Sequence, residues 1–264
     1  MPKTIAVVSI KGGVGKTTTC INLAAYTAAM GVKVLLLDLD PQNGCLYGMG
    51  LEVRPGHSLK DAILNQVSPE KTLTSTNRPE LNVLLNGFFE TGEELEAFQA
   101  AFEKDAHLLD TLLTTLTREG DFTPDLILID CPAGVSALTI NALVTSDSVI
   151  LPMQCEPLSL RTLPQMLRSV ASVKSRYNPR LVVEGVLTTM FDPRQEAKFG
   201  VAQQVWTDFP EDMVFETVIP RHDQLVESFA IGAPAIDISA RSVGSQAYIQ
   251  LGRELIMRLP EEQG

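Results

Sequence analysis

An α/β class is predicted by the sequence: one domain with a mostly parallel, twisted central sheet flanked by helices on both faces. Three features lead there. Short apolar, β-branched runs alternate with amphipathic stretches of helical length, the pattern of repeated strand–helix–strand units. Those runs are apolar at successive positions rather than alternate ones, as strands covered on both faces are. The chain has 264 residues, 45% of them hydrophobic and 20% charged, enough for one large core, and no linker, repeat or low-complexity tract divides it.

Residues 4–10 read as the first buried strand. Residues 17–30 form the first helix, with Ile21, Leu23, Ala24, Ala25, Ala28 and Ala29 apolar and Gly31 placed to end it. Residues 33–39 are a second strand and 81–85 a third, after a polar stretch holding Pro55, Gly56, Pro69 and Pro79. In the acidic stretch between 90 and 120, Leu95, Phe98, Phe102, Leu108, Leu109, Leu112 and Leu113 recur at helical spacing, so a surface helix packed on the sheet is expected. Residues 126–129 and 148–151 are two more strands, with a helix over 136–144 between them. A helix over 157–177 must start or kink at Pro164. Strands over 181–188 and 214–219 and a last amphipathic helix over 241–259 complete the chain.

The net charge of −11 argues against a uniformly basic, nucleic-acid-coating surface. The charge is unevenly spread. Residues 86–130 hold eleven acids and two bases, whereas 161–180 hold Arg161, Arg168, Lys174, Arg176 and Arg180 and no acid. No apolar run approaches the ~18 residues of a spanning helix, and the 4–10 run is too short for a signal-peptide core. Cys20, Cys45, Cys131 and Cys155 are far apart with no C-x-x-C pair, which points to reduced cytoplasmic thiols rather than a zinc site or a disulfide framework.

Chemistry concentrates between the first strand and the first helix, at Ser9-Ile-Lys-Gly-Gly-Val-Gly-Lys-Thr-Thr18. Gly12, Gly13 and Gly15 permit a tight loop whose backbone N–H groups converge on an anion, together with a helix N-terminus. Lys16 can reach the β- and γ-phosphates of a nucleotide, and the Thr17 hydroxyl can ligate Mg²⁺. The match to G-x-x-x-x-G-K-[ST] is imperfect: Ile10 stands at the first glycine position and a second lysine, Lys11, follows it. After the second strand come Asp38 and Asp40, which period-2 alternation sends to one side, at the strand end where α/β sheets bind ligands. Asp130 follows the run at 126–129.

Lys11-Gly-Gly-Val-Gly-Lys-Thr-Thr18 resembles the deviant Walker A sequence of the ParA/MinD family of P-loop ATPases, and within it the chain is most similar to the small, Soj-like ParA partition ATPases. The resemblance continues through Asp38-Leu-Asp-Pro-Gln42, Leu126-Ile-Leu-Ile-Asp-Cys-Pro132, Thr139-Ile-Asn-Ala-Leu143, Thr189-Met-Phe-Asp-Pro-Arg194 and Val218-Ile-Pro-Arg221. It implies a single P-loop NTPase domain, 1–264, that binds ATP and Mg²⁺. Gly12, Gly13, Val14, Gly15, Lys16, Thr17 and Thr18 would hold the phosphates, and Met190 and Pro220 the adenine. Lys11 would cross a homodimer interface to the partner's ATP, a cation placed where transition-state charge develops. Asp40 would position the attacking water; Thr17, Asp38 and Asp130 would serve the metal.

The same resemblance implies a cytoplasmic, nucleoid-associated switch that binds double-stranded DNA without sequence preference in its ATP state. Its slow hydrolysis would be stimulated by a ParB-like or other small adaptor. Lys198, Arg221 and Arg241 are the expected DNA contacts. Gln224 stands where a further base is expected, and 161–180 is a second basic candidate read from composition alone. Lys11 at residue 11 leaves no room for an N-terminal helix-turn-helix domain. The alternative is a MinD-like membrane switch; a tail closing on Glu261 and Glu262 disfavours it, because an anionic leaflet repels acids. A metabolite-dependent P-loop synthetase and a catalytically idle scaffold are weaker rivals.

Overall fold

The computed structural model describes residues 2–53 and 57–258. Seven strands, β1 (Lys3–Val7), β2 (Val34–Asp38), β3 (Thr74–Ser75), β4 (Leu81–Leu84), β5 (Leu126–Asp130), β6 (Ser148–Gln154) and β7 (Val182–Thr189), form one sheet ordered β3-β4-β2-β5-β1-β6-β7. All pairings are parallel except β3 with β4. The helices are α1 (Lys16–Ala29), α2 (Gly44–Gly48), α3 (Leu59–Leu64), α4 (Gly92–Lys104), α5 (Leu108–Glu119), α6 (Ala137–Thr145), α7 (Pro157–Arg176), α8 (Glu196–Asp208), α9 (Asp223–Ile231), α10 (Ala235–Ser239) and α11 (Val243–Arg258).

The unbroken apolar strands divide their side chains between two cores. Leu35, Leu37, Ile127 and Ile129 face α4 to α8, meeting Phe98, Phe102, Leu109, Leu138 and Leu163. Their neighbours Val34, Leu36, Leu126 and Leu128 face α1, α2 and α11, meeting Ile21, Leu23, Leu46 and Leu251. Period 2 along each strand therefore feeds both layers. Gly252 lets α11 lie directly on α1, since a Cβ there would overlap the Tyr26 ring.

The structure departs from the sequence reading at several places. The first strand stops at Val7, so Ser9 and Ile10 belong to the loop. The acidic stretch holds two helices: the Asp105 carboxylate accepts the His107 N–H at 2.8 Å, an Asx turn that separates α4 from α5. Residues 214–219 are not a strand: an isolated bridge joins Val214 to Val186, the Phe215 and Ile219 N–H groups donate to the Val186 and Thr188 carbonyls, and a second bridge, Pro220 with Phe191, follows the segment. The Glu216 and Thr217 N–H groups donate instead to the Glu254 carboxylate at 2.8 and 3.0 Å. β6 runs three residues past Leu151, to Gln154. α7 starts on Pro157, where a missing N–H costs nothing, and continues through Pro164. Pro55, Gly56, the end of the last helix at 259, Glu261 and Glu262 lie outside the described residues. Among those described, no helix is long and apolar enough to cross a membrane.

Candidate functional site

The strand order places the chemistry. β1 lies between β5 and β6, and β5 lies between β1 and β2, so the chain leaving β1 emerges beside the ends of its neighbours. Register aligns Val7 with Asp130, and Asp38 with Asp130. Three separate sequence segments thus meet at the C-terminal edge of the sheet, where open α/β sheets place ligands.

Loop 9–15 turns there. Gly13 and Gly15 have φ of 71° and 92°, the left-handed region that a Cβ disfavours. The Val14 carbonyl accepts the Thr189 hydroxyl at 2.9 Å, and the Ser9 carbonyl accepts the Gly134 N–H at 3.0 Å, pinning the loop to the ends of β7 and β5. Gly15 then caps α1, whose first residues are Lys16, nearly buried, and Thr17. The unpaired N–H groups of this helix end suit an anion.

Beneath the loop two carboxyl groups are fully buried. Asp38 accepts the Asp40 N–H at 3.1 Å on one oxygen and the Cys45 N–H at 2.9 Å on the other. Burial and the adjacent Asp130 hold it well above the usual carboxylate range, against those two backbone donors. Burial pushes Asp130 up to about 6, although the Thr17 hydroxyl and the Lys16 charge favour its ionised form. Among the described residues neither carboxylate has an ion-pair partner. A divalent cation would relieve that uncompensated pair, and the Asp130–Thr17 side of the cluster offers the hard oxygens that Mg²⁺ takes. Gly44 makes the close approach possible: a Cβ there would lie 2.8 Å from Thr17 Cγ2. Asp40 is only half-buried, with one oxygen accepting the Gln42 N–H at 3.0 Å. Of Asp38, which ends β2, and Asp40 just beyond it, Asp40 is therefore the one open to water.

Lys11 is folded back on its own chain. Its Nζ donates to Gln154 Oε1 at 2.8 Å and to Glu156 Oε2 at 2.6 Å. The Lys11 ammonium holds the Glu156 carboxyl below its usual range, with help from Lys198 and Arg221. Met190, with φ 52°, and Pro220 lie on two adjoining loops, joined where the Phe191 N–H meets the Ile219 carbonyl at 3.1 Å.

The expected DNA contacts do not form one exposed set. Arg221 and Arg241 are exposed, but Lys198 is only 8% exposed, with Nζ 3.5 Å from the Met190 carbonyl. In this conformation Lys198 faces the loop that carries Met190 rather than solvent. Arg161, Arg168, Lys174, Arg176 and Arg180 are all exposed.

Sequence reasoning missed Gln154, Glu156 and Asn43. The first two follow from the longer β6, whose end must abut the loop once β1 and β6 pair. Asn43, φ 54°, gives and takes hydrogen bonds with the Gly87 backbone at 2.9 and 3.2 Å, tying the entry of α2 to the end of β4. An Asn in a turn is its only signal.

A family model described as an AAA domain matches residues 2–183. The chromosome partitioning protein ParA of Caulobacter vibrioides is 36% identical over 262 residues, covering 99% of this chain and 96% of that protein. Among solved structures, the cobyrinic acid a,c-diamide synthase of Mycobacterium smegmatis with bound ADP and magnesium superposes with TM-score 0.79 at 29% identity, covering 97% of this chain and 94% of that one. The septum site-determining protein MinD of Pyrococcus horikoshii, complexed with Mg-ADP, superposes with TM-score 0.78 at 26% identity, covering 97% and 96%.

Proposed function

Because the chain belongs to the ParA/MinD family of P-loop ATPases, we propose that it is a ParA-type partition ATPase that dimerises around ATP and binds DNA in that state. The observation that carries this reading is the pair of lysines on one glycine loop: Lys16 at the start of α1 and Lys11 at its mouth, both at the sheet edge that holds Asp38, Asp40 and Asp130. The N–H groups of Gly12 to Thr18 and the Lys16 ammonium bind the β- and γ-phosphates. Met190 and Pro220 flank the adenine. Thr17 and Asp130 hold Mg²⁺, with Asp38 behind them; when bound, the metal neutralises charge on the phosphates and orients them. Asp40 orients the attacking water in line with the γ-phosphorus.

Lys11 acts in trans. It exchanges Glu156 and Gln154 of its own chain for the phosphates of the partner's ATP, and so couples nucleotide to dimerisation. Arg221 and Arg241 supply phosphate contacts to DNA, with the exposed arginines of α7 as a second surface. Two exposed contacts on an acidic chain give a weak, salt-sensitive grip, suited to a switch that lets go each cycle. A ParB-like or other small adaptor stimulates slow hydrolysis and releases the dimer into the cytoplasm.

The test is duplex DNA binding of the ATP-loaded protein in about 50 mM salt. Binding that needs ATP and is lost as salt rises supports the reading; protein that ignores duplex DNA with ATP overturns it. A synthase, the activity named for the M. smegmatis neighbour, would instead turn over ATP in response to a metabolite, with DNA making no difference.

A further inference from the structure

The buried centre under the phosphate loop holds sulfur as well as oxygen. Cys20 on α1 places its Sγ 3.9 Å from one Asp130 oxygen, and Cys45 on α2 places its Sγ 3.7 Å from the other. The Cys45 sulfur and one carboxylate oxygen from each of Asp38 and Asp130 all lie within 4.8 Å of one another. All of these residues are fully buried. No strand pattern or Cys spacing announces the group, because β2, β5, α1 and α2 bring it together from residues 20, 38, 45 and 130.

We propose that Asp38, Cys45 and Asp130 form a site for a thiophilic divalent cation of the Zn²⁺ class in the nucleotide-free protein, with Cys20 as the fourth donor. Mg²⁺ takes oxygen ligands in near-octahedral array and gains nothing from a thiol. Two sulfurs and two carboxylate oxygens are instead a tetrahedral set for Zn²⁺. Bonds of about 2.0–2.3 Å put tetrahedral donors about 3.5 Å apart, so Asp38, Cys45 and Asp130 must close by roughly 1 Å, a movement within reach of the Cys45 and Asp130 side-chain torsions; Cys20 lies outside that group of three and must turn further to join it.

The second shell is already in place: backbone N–H groups of Asp40 and Cys45 orient the Asp38 carboxylate from behind. The cation also supplies the positive charge that this carboxylate pair lacks among the described residues. On binding, each thiol gives its proton to solvent and its sulfur lone pair to the metal. Zn²⁺ so bound occupies Asp130, and it excludes the Mg²⁺ of a nucleotide from the same carboxylate. Binding is read without ATP, so the proposal stands or falls apart from the ATPase reading.

The experiment titrates chelator-treated, nucleotide-free full-length protein with Cd²⁺ and Co²⁺, following thiolate-to-metal charge-transfer absorption. Zn²⁺ affinity is measured alongside by competition with a chromophoric chelator. One equivalent with a charge-transfer band is expected. Cys45→Ser should abolish the Cys45 share of the band and weaken Zn²⁺ by at least about tenfold, Cys20→Ser should weaken it less, and Cys155→Ser should change neither. Absence of the band in the wild type, which needs no variant to judge, overturns the proposal. So do a band and an affinity that are unchanged in Cys45→Ser, or Zn²⁺ that Mg²⁺ displaces at equal concentration.

Discussion

Replacing Asp130 with Asn removes one of two carboxyl groups buried side by side, and should change how the stability of the nucleotide-free protein depends on pH. Burial pushes Asp130 from an ordinary 3.8 up to about 6. At about 1.4 kcal/mol per pH unit, that displacement is worth about 3 kcal/mol. A carboxyl whose folded value lies above its unfolded value supports the fold while protonated. Its contribution is complete below about pH 4 and is lost as pH rises through about 6. Asn stays neutral throughout, so wild type should lose about 3 kcal/mol relative to Asp130→Asn between those limits. Asp38 acts in the same direction: Asp130 helps hold it well above its usual range, and the variant removes that repulsion. Carboxylates common to both proteins cancel in the difference. Urea unfolding of both proteins across this range, without Mg²⁺ or nucleotide, gives the two curves. Parallel curves would refute the buried, cation-free carboxylate pair on which the metal assignments rest.

Three further outcomes follow from other parts of the molecule. Lys16→Ala, at the start of α1, should abolish ATP binding measured by calorimetry while leaving the melting temperature of the nucleotide-free protein close to wild type. Glu156→Gln should free Lys11 and tighten the ATP-dependent dimer. The pair is partly solvated, with side chains 28% and 39% exposed, so the gain is at most about 1 kcal/mol, roughly fivefold by sedimentation equilibrium; a looser dimer would mean that Glu156 supports Lys11 rather than restrains it. Gly252→Ala should destabilise the fold by about 1–3 kcal/mol in urea, because its methyl group would overlap Tyr26 in the contact between α1 and α11; unchanged stability would show that the two helices can separate at no cost.

The layered sheet was legible because its central strands are buried on both faces and so carry unbroken apolar runs, as at Val34–Asp38 and Leu126–Asp130. The phosphate loop was legible because glycine and lysine spacing is local. What the sequence hid is non-local. Residues 214–219 look like a strand, yet in mid-segment the Glu216 and Thr217 N–H groups are claimed by Glu254, 38 and 37 residues away. Lys198 reads as a surface base, but its aliphatic stem is buried in the fold and its ammonium turns to the Met190 carbonyl. Glu156 becomes partner to Lys11 only once β6 lies beside β1. The break between α4 and α5 rests on one Asx turn that helical periodicity overruns.

The proposed switch would store its state in assembly, so the mass of the nucleotide-bound particle speaks most directly to it. Asp40→Ala should keep the phosphate loop and the buried Asp38–Asp130 pair intact while removing the group proposed to orient water. By light scattering with Mg²⁺ and ATP, Asp40→Ala is expected to persist as a dimer, and Asp40→Ala combined with Lys11→Ala as a monomer. Monomers from Asp40→Ala alone, with ATP shown to be bound, would contradict a dimer closed by Lys11 across two nucleotides.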